Sequence, residues 1–311
     1  MVSTCMGKTV LITGGTGFIG RKLTAALLAR GDAVVLLTRS PERAKANLPK
    51  GARAAFWDPL HEGEWLDEVG KADAVVHLAG EPVAQRWTEE TRRTIVESRV
   101  NSTRLVVEGM ARAKDKPKVF VCASAIGLYG ARPSDEALDE TAKRGEGFLA
   151  DVVAGWEAEA EKAEALGVRT VRLRIGIVLG EGGGPLEKMI LPFKMFAGGP
   201  IGDGKQVMSW VHAEDIVGLV LFALDKQEVK GPINAVAPNA ATGNEMAEAI
   251  GRAMHRPSWF RTPAVMVKVA LGEAAEVVTT GQRVVPTAAL RLGYAFRYPE
   301  LGKALESILR R

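Results

Sequence analysis

The chain has 311 residues, 47% of them hydrophobic, which is enough to bury a large core and suggests either one large domain or a domain with an appendage. Its 41 Lys and Arg residues against 37 Asp and Glu leave a net charge of +4 without a basic cluster, so a nucleic-acid partner is not expected. Two distant cysteines, no metal-ligand spacing, no signal-peptide pattern and no membrane-length apolar run predict a cytoplasmic protein with no metal site and no membrane partner.

Short apolar runs alternate with segments of helical periodicity through most of the chain. The predicted strands are residues 9–12, 34–38, 54–57, 74–78, 119–123 and 170–173. Strands that alternate with helices pair in parallel, because each helix carries the chain back to the same edge of the sheet. The pattern therefore predicts an α/β fold with a Rossmann-type doubly wound parallel sheet.

The rest of the chain is divided between this sheet and a smaller lobe. A helix at 213–224 and a strand at 233–236 are expected to return to the sheet. Residues 180–204 are rich in Gly and Pro and contain a predicted helix at 186–196, and the segment after 239 is interrupted by prolines. We expect residues 1–178, with 213–237, to form the Rossmann domain, and residues 179–212 with 238–311 to form the small C-terminal lobe.

The first predicted strand runs directly into a glycine-rich turn, TGGTGFIG at 13–20, and then into a helix. Its glycines at 14, 17 and 20 have the GxxGxxG spacing. A dinucleotide pyrophosphate needs a tight strand-to-helix turn, a backbone that approaches it without a Cβ, and free N–H groups at a helix amino end. The candidate cofactor-binding residues of this turn are Gly14, Thr16, Gly17, Phe18, Ile19 and Gly20.

Residues after the second and third strands bear on which dinucleotide is bound. Arg39 lies about 20 positions beyond Gly20, where an NAD-preferring site usually has an acidic residue. A guanidinium there can hold a 2′-phosphate, which predicts NADP(H) as the cofactor; the alternative is a solvated surface arginine. Asp58 can accept a hydrogen bond from the adenine amino group or, as an Asp before Pro, can simply start a turn.

Further motifs extend this pattern: HLAG at 77–80, Asn101-x-Thr103, SAIGLYG at 124–130 and SWVHAEDIV at 209–217. Together with the glycine turn they resemble the short-chain dehydrogenase/reductase superfamily, in its sugar-nucleotide-epimerase-like branch, the NAD-dependent epimerase/dehydratase family. HLAGEPV-x-x-RW, GGPIGDGKQ-x-x-SW and GQRVVP-x-x-x-L-x-x-GY-x-F are similar to an atypical subgroup that has a C-terminal domain of unknown function. The resemblance covers nearly the whole chain.

The resemblance implies additional contacts with the cofactor. Residues 78–80 would pass their backbone beside the cofactor ribose, and a residue after the sixth strand would lie against the nicotinamide. Arg99 would face the cofactor, although helical periodicity alone favours an exposed position for it. These implied cofactor residues are Leu78, Ala79, Gly80, Glu81, Arg99 and Ile177.

The superfamily normally transfers a proton with a Tyr-x-x-x-Lys pair on one helix face, while a serine holds the same substrate oxygen. Ser124 matches that serine. Anchoring the helix on Glu157 places Leu149 and Val153 at the positions of the pair, and these apolar side chains cannot transfer protons. Tyr129, close beyond Ser124, is a candidate proton donor or else a packing tyrosine.

The substrate is expected to be smaller or less charged than a nucleotide sugar. Sugar-nucleotide enzymes generally hold the diphosphate with an arginine four residues before the histidine of the 209–217 motif, and this chain has Met208 there. Gln206, Ser209 and Trp210 offer hydrogen bonds and a stacking surface to a ligand, or alternatively pack the lobe.

Two functions are compatible with these residues. The first is an NADP(H)-binding oxidoreductase or epimerase-like enzyme that acts on a small molecule between the Rossmann domain and the C-terminal lobe. The second is a non-catalytic protein that binds and senses NADPH, which the missing Tyr/Lys pair favours. We expect the first more than the second.

Overall fold

The computed structural model describes residues 7–46, 48–133 and 135–310, so Cys5 lies outside the described residues. Its strands in chain order are β1 (Thr9–Thr13), β2 (Ala33–Thr38), β3 (Ala52–Phe56), β4 (Ala74–His77), β5 (Val119–Ala125), β6 (Ala137–Leu138), β7 (Arg169–Ile175), β8 (Ile177–Leu179), β9 (Val207–Met208), β10 (Trp210–His212), β11 (Gly231–Ala235), β12 (Ala241–Thr242) and β13 (Arg283–Val284). Seven of these strands form one parallel sheet in the order β11-β7-β5-β4-β1-β2-β3. The predicted Rossmann-type doubly wound sheet is confirmed.

The strand order fixes where a ligand can enter. The chain leaves β1 for β2 and β3 on one side and then returns to β4 on the other side of β1. The carboxyl ends of β1 and β4 therefore border a crevice at the topological switch point, which is where open α/β sheets bind their ligands. The predicted strand near residue 233 is β11, and it pairs with β7 at the edge of the same sheet.

The α-helices connect and cover these strands. They are α1 (Phe18–Ala29), α2 (Pro41–Lys45), α3 (Leu66–Val69), α4 (Glu89–Val96), α5 (Ser102–Arg112), α6 (Phe148–Glu161), α7 (Pro185–Lys194), α8 (Ala213–Asp225), α9 (Gly243–Met254), α10 (Ala264–Leu271), α11 (Glu276–Thr279), α12 (Thr287–Arg291) and α13 (Leu301–Leu309). A π-helical turn, Glu97–Asn101, joins α4 to α5, and 3-10 turns follow β5, α6 and α10.

The central strands β1, β4 and β5 are mostly apolar, as expected of strands that have helices on both faces of the sheet. On one face α1, α8 and α12 pack over the strands through Leu23, Leu27 and Ile216. On the other face α3, α5 and α6 contribute a second cluster that includes Met110 and Trp156. The two clusters make the three-layer arrangement that doubly wound sheets require.

A third apolar cluster belongs to the C-terminal lobe. It joins α7, α9 and α13 around Phe193, Ile250 and Leu305. Two short strand pairs connect this lobe to the Rossmann part, β8 with β10 and β6 with β13, and a third, β9 with β12, lies within the lobe. Among the described residues, no helix is long and apolar enough to cross a membrane.

Candidate functional site

The glycine turn after β1 leaves no room for a Cβ at Gly14 or Gly20 unless the backbone moves. Gly14 has a φ of +70°, and a Cβ on it would lie 2.9 Å from the backbone of Leu78 and Ala79. A Cβ on Gly20 would lie 2.2 Å from the carbonyl oxygen of Gly14. Gly17 starts α1, and its N–H donates to the Gly14 carbonyl at 3.0 Å. The turn therefore brings β1, α1 and the backbone after β4 together at the switch point.

The amino end of α1 presents free backbone donors at this turn. No side chain caps the helix and no acidic residue lies in its first turn. Thr16 and Gly17 are exposed, and Phe18 and Ile19 are partly so. An uncapped amino end with its positive dipole favours an anion, so the chemistry of this turn fits a pyrophosphate.

The two polar residues predicted after β2 and β3 differ in their surroundings. Arg39 is exposed and forms no hydrogen bond or ion pair with any other described residue. Asp58 instead accepts the backbone N–H groups of Leu60 at 2.9 Å and His61 at 3.2 Å, and the first of these bonds is the main cause that lowers its pKa. Arg39 remains free to hold a ligand phosphate, whereas the geometry of Asp58 favours the alternative that it starts a turn.

A buried histidine lies next to the residue that precedes the glycine turn and connects it to α5. His77, at the end of β4, lies between Thr13 Oγ1 at 2.6 Å and Ser102 Oγ at 3.1 Å. Burial, together with the nearby positive charge of Arg99, lowers the pKa of His77 to about 3, so the ring is neutral. No role was predicted for His77, although a histidine at the end of an apolar strand is a visible signal. It ties β1, β4 and α5 together beneath the switch point.

Arg99 lies at the implied cofactor site but is fixed by protein contacts. Its Nη2 donates to the carbonyl oxygen of Glu81 at 2.8 Å, and its guanidinium lies 5.4 Å from the Trp156 ring centroid. A Cβ on Gly80 would lie 3.1 Å from Arg99 Cζ. Burial lowers the pKa of Arg99 to about 10, with the charge of Glu81 opposing that shift. Arg99 therefore holds residues 80 and 81 in place from the π-helical turn.

Ser124, at the end of β5, belongs to a buried charged network. Its hydroxyl donates to Glu157 Oε1 at 2.5 Å. Arg174 donates to both oxygens of Glu157, from Nε to Oε1 and from Nη2 to Oε2, each at 2.8 Å. Although burial opposes its charge, the bonds to Glu157 raise the pKa of Arg174. Because the Ser124 hydrogen points to Glu157, the serine oxygen is left to accept a hydrogen bond from a ligand.

Tyr129 is fully buried in the same network. Its hydroxyl donates to Asn234 Oδ1 at 2.7 Å and accepts from Arg174 Nη1 at 2.9 Å. Burial raises the pKa of Tyr129, with the positive charge of Arg174 opposing the shift. A hydroxyl with these partners is not presented to a ligand, so the geometry favours the packing alternative for Tyr129.

The apolar replacements of the usual Tyr/Lys pair face the loop that follows β5. A Cβ on Gly127 would lie 3.5 Å from Leu149 Cβ and 3.9 Å from Val153 Cγ2. Both residues are on α6, one and two turns before the buried Glu157. The helix face beside Ser124 is therefore lined by hydrocarbon at these two positions.

The three residues predicted to bind substrate make contacts within the C-terminal lobe. Gln206 Nε2 donates to the carbonyl of Val278 at 3.3 Å. Ser209 Oγ donates to the Gln282 carbonyl at 2.8 Å and accepts from the backbone N–H of residue 284 at 2.9 Å. Trp210 is fully buried, and its indole N–H donates to the Asn239 carbonyl at 2.9 Å. These bonds favour lobe packing over ligand contact for all three residues.

The segment after β7 connects the lobe to the sheet. Ile177 is half-buried, and its N–H donates to the carbonyl of Ser209 at 2.9 Å. A Cβ on Gly176 would lie 2.4 Å from the same carbonyl oxygen. This close approach holds the segment after β7 in place beside the switch-point edge of the sheet.

A second glycine-rich loop, residues 180–184, lies against the first. The Phe18 ring is within 2.9 Å of the position that a Cβ would take on either Gly180 or Gly184. Arg21 joins the two loops, because it donates from Nη1 to the Thr16 carbonyl at 2.8 Å and from Nη2 to the Gly182 carbonyl at 2.9 Å. No role was predicted for Arg21, because its partner Gly182 is far away along the chain.

The sheet, the switch point and the glycine turn together define a dinucleotide-binding α/β protein of the Rossmann type. Residues 10–236 match the NAD dependent epimerase/dehydratase family, and residues 262–308 match a domain of unknown function, DUF1731. The chain belongs to the NAD dependent epimerase/dehydratase family.

Its relatives include plant, bacterial and human proteins. It is 41% identical over 303 residues to the epimerase family protein SDR39U1 homolog, chloroplastic, of Arabidopsis thaliana, which covers 97% of this chain and 86% of the relative. It is 38% identical over 301 residues to epimerase family protein YfhF of Bacillus subtilis, and the match covers 96% of this chain and 97% of that relative.

Solved structures support the same assignment. The crystal structure of human epimerase family protein SDR39U1 (isoform 2) with NADPH aligns with a TM-score of 0.85 at 34% identity, covering 97% of this chain and 99% of that one. UDP-glucuronic acid 4-epimerase from Bacillus cereus, in complex with UDP-glucuronic acid and NAD, aligns with a TM-score of 0.79 over 97% and 98% of the two chains. At 18% identity, this second similarity shows the fold alone.

Proposed function

We propose that the chain binds a nicotinamide dinucleotide at the carboxyl ends of β1 and β4, and that NADP(H) is preferred over NAD(H). The observation that carries the proposal is the glycine turn, where backbone packing at Gly14 and Gly20 excludes any side chain and α1 begins without a cap. The human relative that was crystallised with NADPH supports the same cofactor. The pyrophosphate is bound by the turn from Gly14 to Gly20, and the ribose lies beside the backbone of residues 78–81.

The preference for NADP(H) rests on Arg39. The side chain is exposed at the end of β2 and has no partner among the described residues, so its guanidinium can bind a 2′-phosphate without first giving up an internal bond. Arg39→Ala should raise the dissociation constant for NADPH at least ten-fold, about 1.4 kcal/mol, and leave that for NADH nearly unchanged. The matched control is Arg291→Ala, an exposed arginine on α12. Equal weakening of both dinucleotides by Arg39→Ala would contradict the assignment.

We propose further that the protein is an oxidoreductase or epimerase-like enzyme acting on a small molecule. The bound nicotinamide supplies hydride transfer when it is present. The Rossmann part, residues 1–178 with 213–237, holds the cofactor, and residues 179–212 with 238–311 close over the substrate. Ile177 would lie against the nicotinamide face.

Ser124 is the residue proposed to hold the reacting oxygen. Because Glu157 accepts the serine hydrogen, Ser124 Oγ is prepared to accept a hydrogen bond from a substrate hydroxyl rather than to donate one to a carbonyl. This arrangement favours the alcohol form of the substrate at this position. The apolar Leu149 and Val153 offer no proton, so water is the proposed proton partner, and Tyr129 is left to its packing role.

The experiment is a turnover assay in both directions. Purified protein is mixed with NADPH and a panel of aldehydes, ketones and quinones, or with NADP⁺ and the corresponding alcohols, and the absorbance of the reduced nicotinamide is followed. Ser124→Ala should abolish turnover and retain cofactor binding. Tyr129→Phe should retain measurable turnover, which distinguishes its packing role from a role as acid.

A second candidate function is a non-catalytic protein that binds and senses NADPH. The observation that favours it is the hydrocarbon lining at Leu149 and Val153, where the superfamily has its proton-transfer pair. Tight NADPH binding without turnover in either direction, across the whole panel, would favour this second function over the first. A cytoplasmic location remains a prediction for either one.

A further inference from the structure

One surface of the C-terminal lobe exposes large apolar side chains. Seven of them are each more than half exposed: Leu191, Met195, Phe196, Trp259, Val265, Met266 and Val269. The last three are on α10, and Val269 has 73% of its side-chain surface open to solvent. A concentration of exposed apolar residues on a soluble lobe usually marks an interaction site. We call this surface, residues 191–202 and 256–271, the C-lobe surface.

The two segments of the C-lobe surface are bonded to each other. The backbone N–H of Phe260 donates to the Gly198 carbonyl at 3.0 Å, and that of Thr262 donates to the Pro200 carbonyl at 3.0 Å. Arg256 stacks over the Phe196 ring, with its Cζ 4.3 Å from the ring centroid. Helix α10 continues directly from this pair of segments. The exposed apolar side chains therefore lie on one connected part of the lobe.

Helix α10 has no buried residue although its sequence, AVMVKVAL, is almost entirely apolar. Short helices of globular proteins derive most of their stability from packing an apolar face against a core. In this chain α10 contacts the turn that follows it but buries no side chain fully. Its apolar face is available for a partner outside the chain.

The charged residues within the C-lobe surface, residues 191–202 and 256–271, all have one sign. Lys194, Arg256, Arg261 and Lys268 are all exposed. The sequence has no Asp or Glu in residues 188–202 or 249–272. A second copy of the chain placed on this surface in a two-fold dimer would oppose cation to cation, so self-association is disfavoured. A partner that matches the positive charge of this surface is an extended anionic one.

We propose that the C-lobe surface docks on the surface of a bilayer that contains anionic lipids. Apolar side chains of α10 and Trp259 would enter the interfacial region while the surrounding lysine and arginine side chains contact the headgroups, which is the usual composition of interfacial helices. The expectation of no membrane partner came from the lack of a spanning segment, and interfacial docking requires none. The proposal does not depend on the proposed enzymatic function.

The test uses the full chain and vesicles of two compositions. One is phosphatidylcholine alone, and the other contains about one third phosphatidylglycerol, a fraction chosen to give a strongly negative surface. Co-sedimentation should detect binding to the anionic vesicles, at least ten-fold weaker binding to the neutral ones, and release by high salt because the surface charges are screened. Lys268→Gln should weaken partitioning about five-fold, which corresponds to about 1 kcal/mol for each cation near an anionic surface.

A double variant, Met266→Glu with Val269→Glu, tests the apolar part. Both side chains are exposed, so the variant should melt as the parent does and bind NADPH normally, but should lose vesicle binding. The matched control is Leu290→Glu, an exposed apolar residue on α12 outside the surface, which should partition as the parent does. Absence of parent binding to anionic vesicles, or a parent that dimerises through this surface by light scattering, would overturn the proposal. Should the double variant fail to fold, Lys268→Gln and the lipid and salt dependence of the parent decide the question.

Discussion

Replacing Gly20 with alanine has two opposing effects on stability: the new Cβ clashes with the backbone of the turn, whereas alanine favours the helix more than glycine does. A Cβ at this position would lie 2.2 Å from the Gly14 carbonyl oxygen and 2.6 Å from Gly15 Cα. Both neighbours are backbone atoms, so the clash is relieved only if α1 or the glycine turn moves. Overpacking of this kind costs about 1–3 kcal/mol, whereas exchanging Gly for Ala inside a helix gains about 0.5–1 kcal/mol. We therefore expect a net loss of about 1–2 kcal/mol in the free energy of unfolding.

The matched control is Gly302→Ala, because Gly302 is on α13 and a Cβ there would meet no atom within 4 Å. Urea unfolding without cofactor should show Gly302→Ala equal to or more stable than the parent, by up to about 1 kcal/mol. Titration with NADPH should show weaker binding for Gly20→Ala only, since the displaced turn no longer presents its N–H groups. Equal stability changes in the two variants, or unchanged NADPH affinity in Gly20→Ala, would refute the packing argument.

Three further changes have defined outcomes. Burial lowers the pKa of His77 to about 3, so as the pH falls this residue is protonated in the unfolded chain before it is protonated in the folded one. Between pH 6.5 and about 4 the free energy of unfolding of the parent should therefore fall by about 3 kcal/mol more than that of His77→Gln. Urea unfolding at both pH values measures the difference. Arg174→Met removes the guanidinium that donates two hydrogen bonds to the buried Glu157 and should destabilise the fold by about 3–5 kcal/mol. Arg174→Lys should rescue only part of this, because an ammonium cannot reproduce the paired, planar N–H donors of the guanidinium. Arg21→Ala removes the bond that joins the 180–184 loop to the glycine turn and should speed NADPH dissociation about five-fold in stopped flow; unchanged dissociation would show that this bond does not help to retain the cofactor.

The fold and the glycine turn were predictable because both depend on residues that are close together in the sequence. Buried parallel strands are short apolar runs, and GxxGxxG places its glycines within one turn of chain. The helix that carries Leu149 and Val153 could be placed from Glu157 for the same reason, since helical spacing is fixed. Arg39 is predicted from its distance from the turn, which follows from the length of one βα unit, and its role stays a prediction.

The candidate substrate contacts were not predictable, because their roles depend on partners far away in sequence. Ser209 is bonded to the backbone near residue 283, and Trp210 to Asn239, so each polar group is used within the lobe. The type of a residue indicates whether it can bind a ligand, but it does not indicate whether its polar group is already hydrogen-bonded to another segment of the chain. Tyr129 is a similar case, because Asn234 and Arg174 approach it from β11 and β7.

The buried network also limits how Ser124 could move a proton. For Ser124 to take a proton from a substrate hydroxyl, its own hydrogen would pass to Glu157, whose oxygens already accept two N–H groups of Arg174. A proton on Glu157 would displace one of these bonds inside the protein and would leave the guanidinium without its full partner, which is costly in a buried pair. We therefore expect Ser124 to orient the substrate while water exchanges the proton. Turnover of Glu157→Asp should then fall with the loss of Ser124 orientation but keep the pH profile of the parent, and a profile whose acidic limb moves in this variant would show that Glu157 carries the proton.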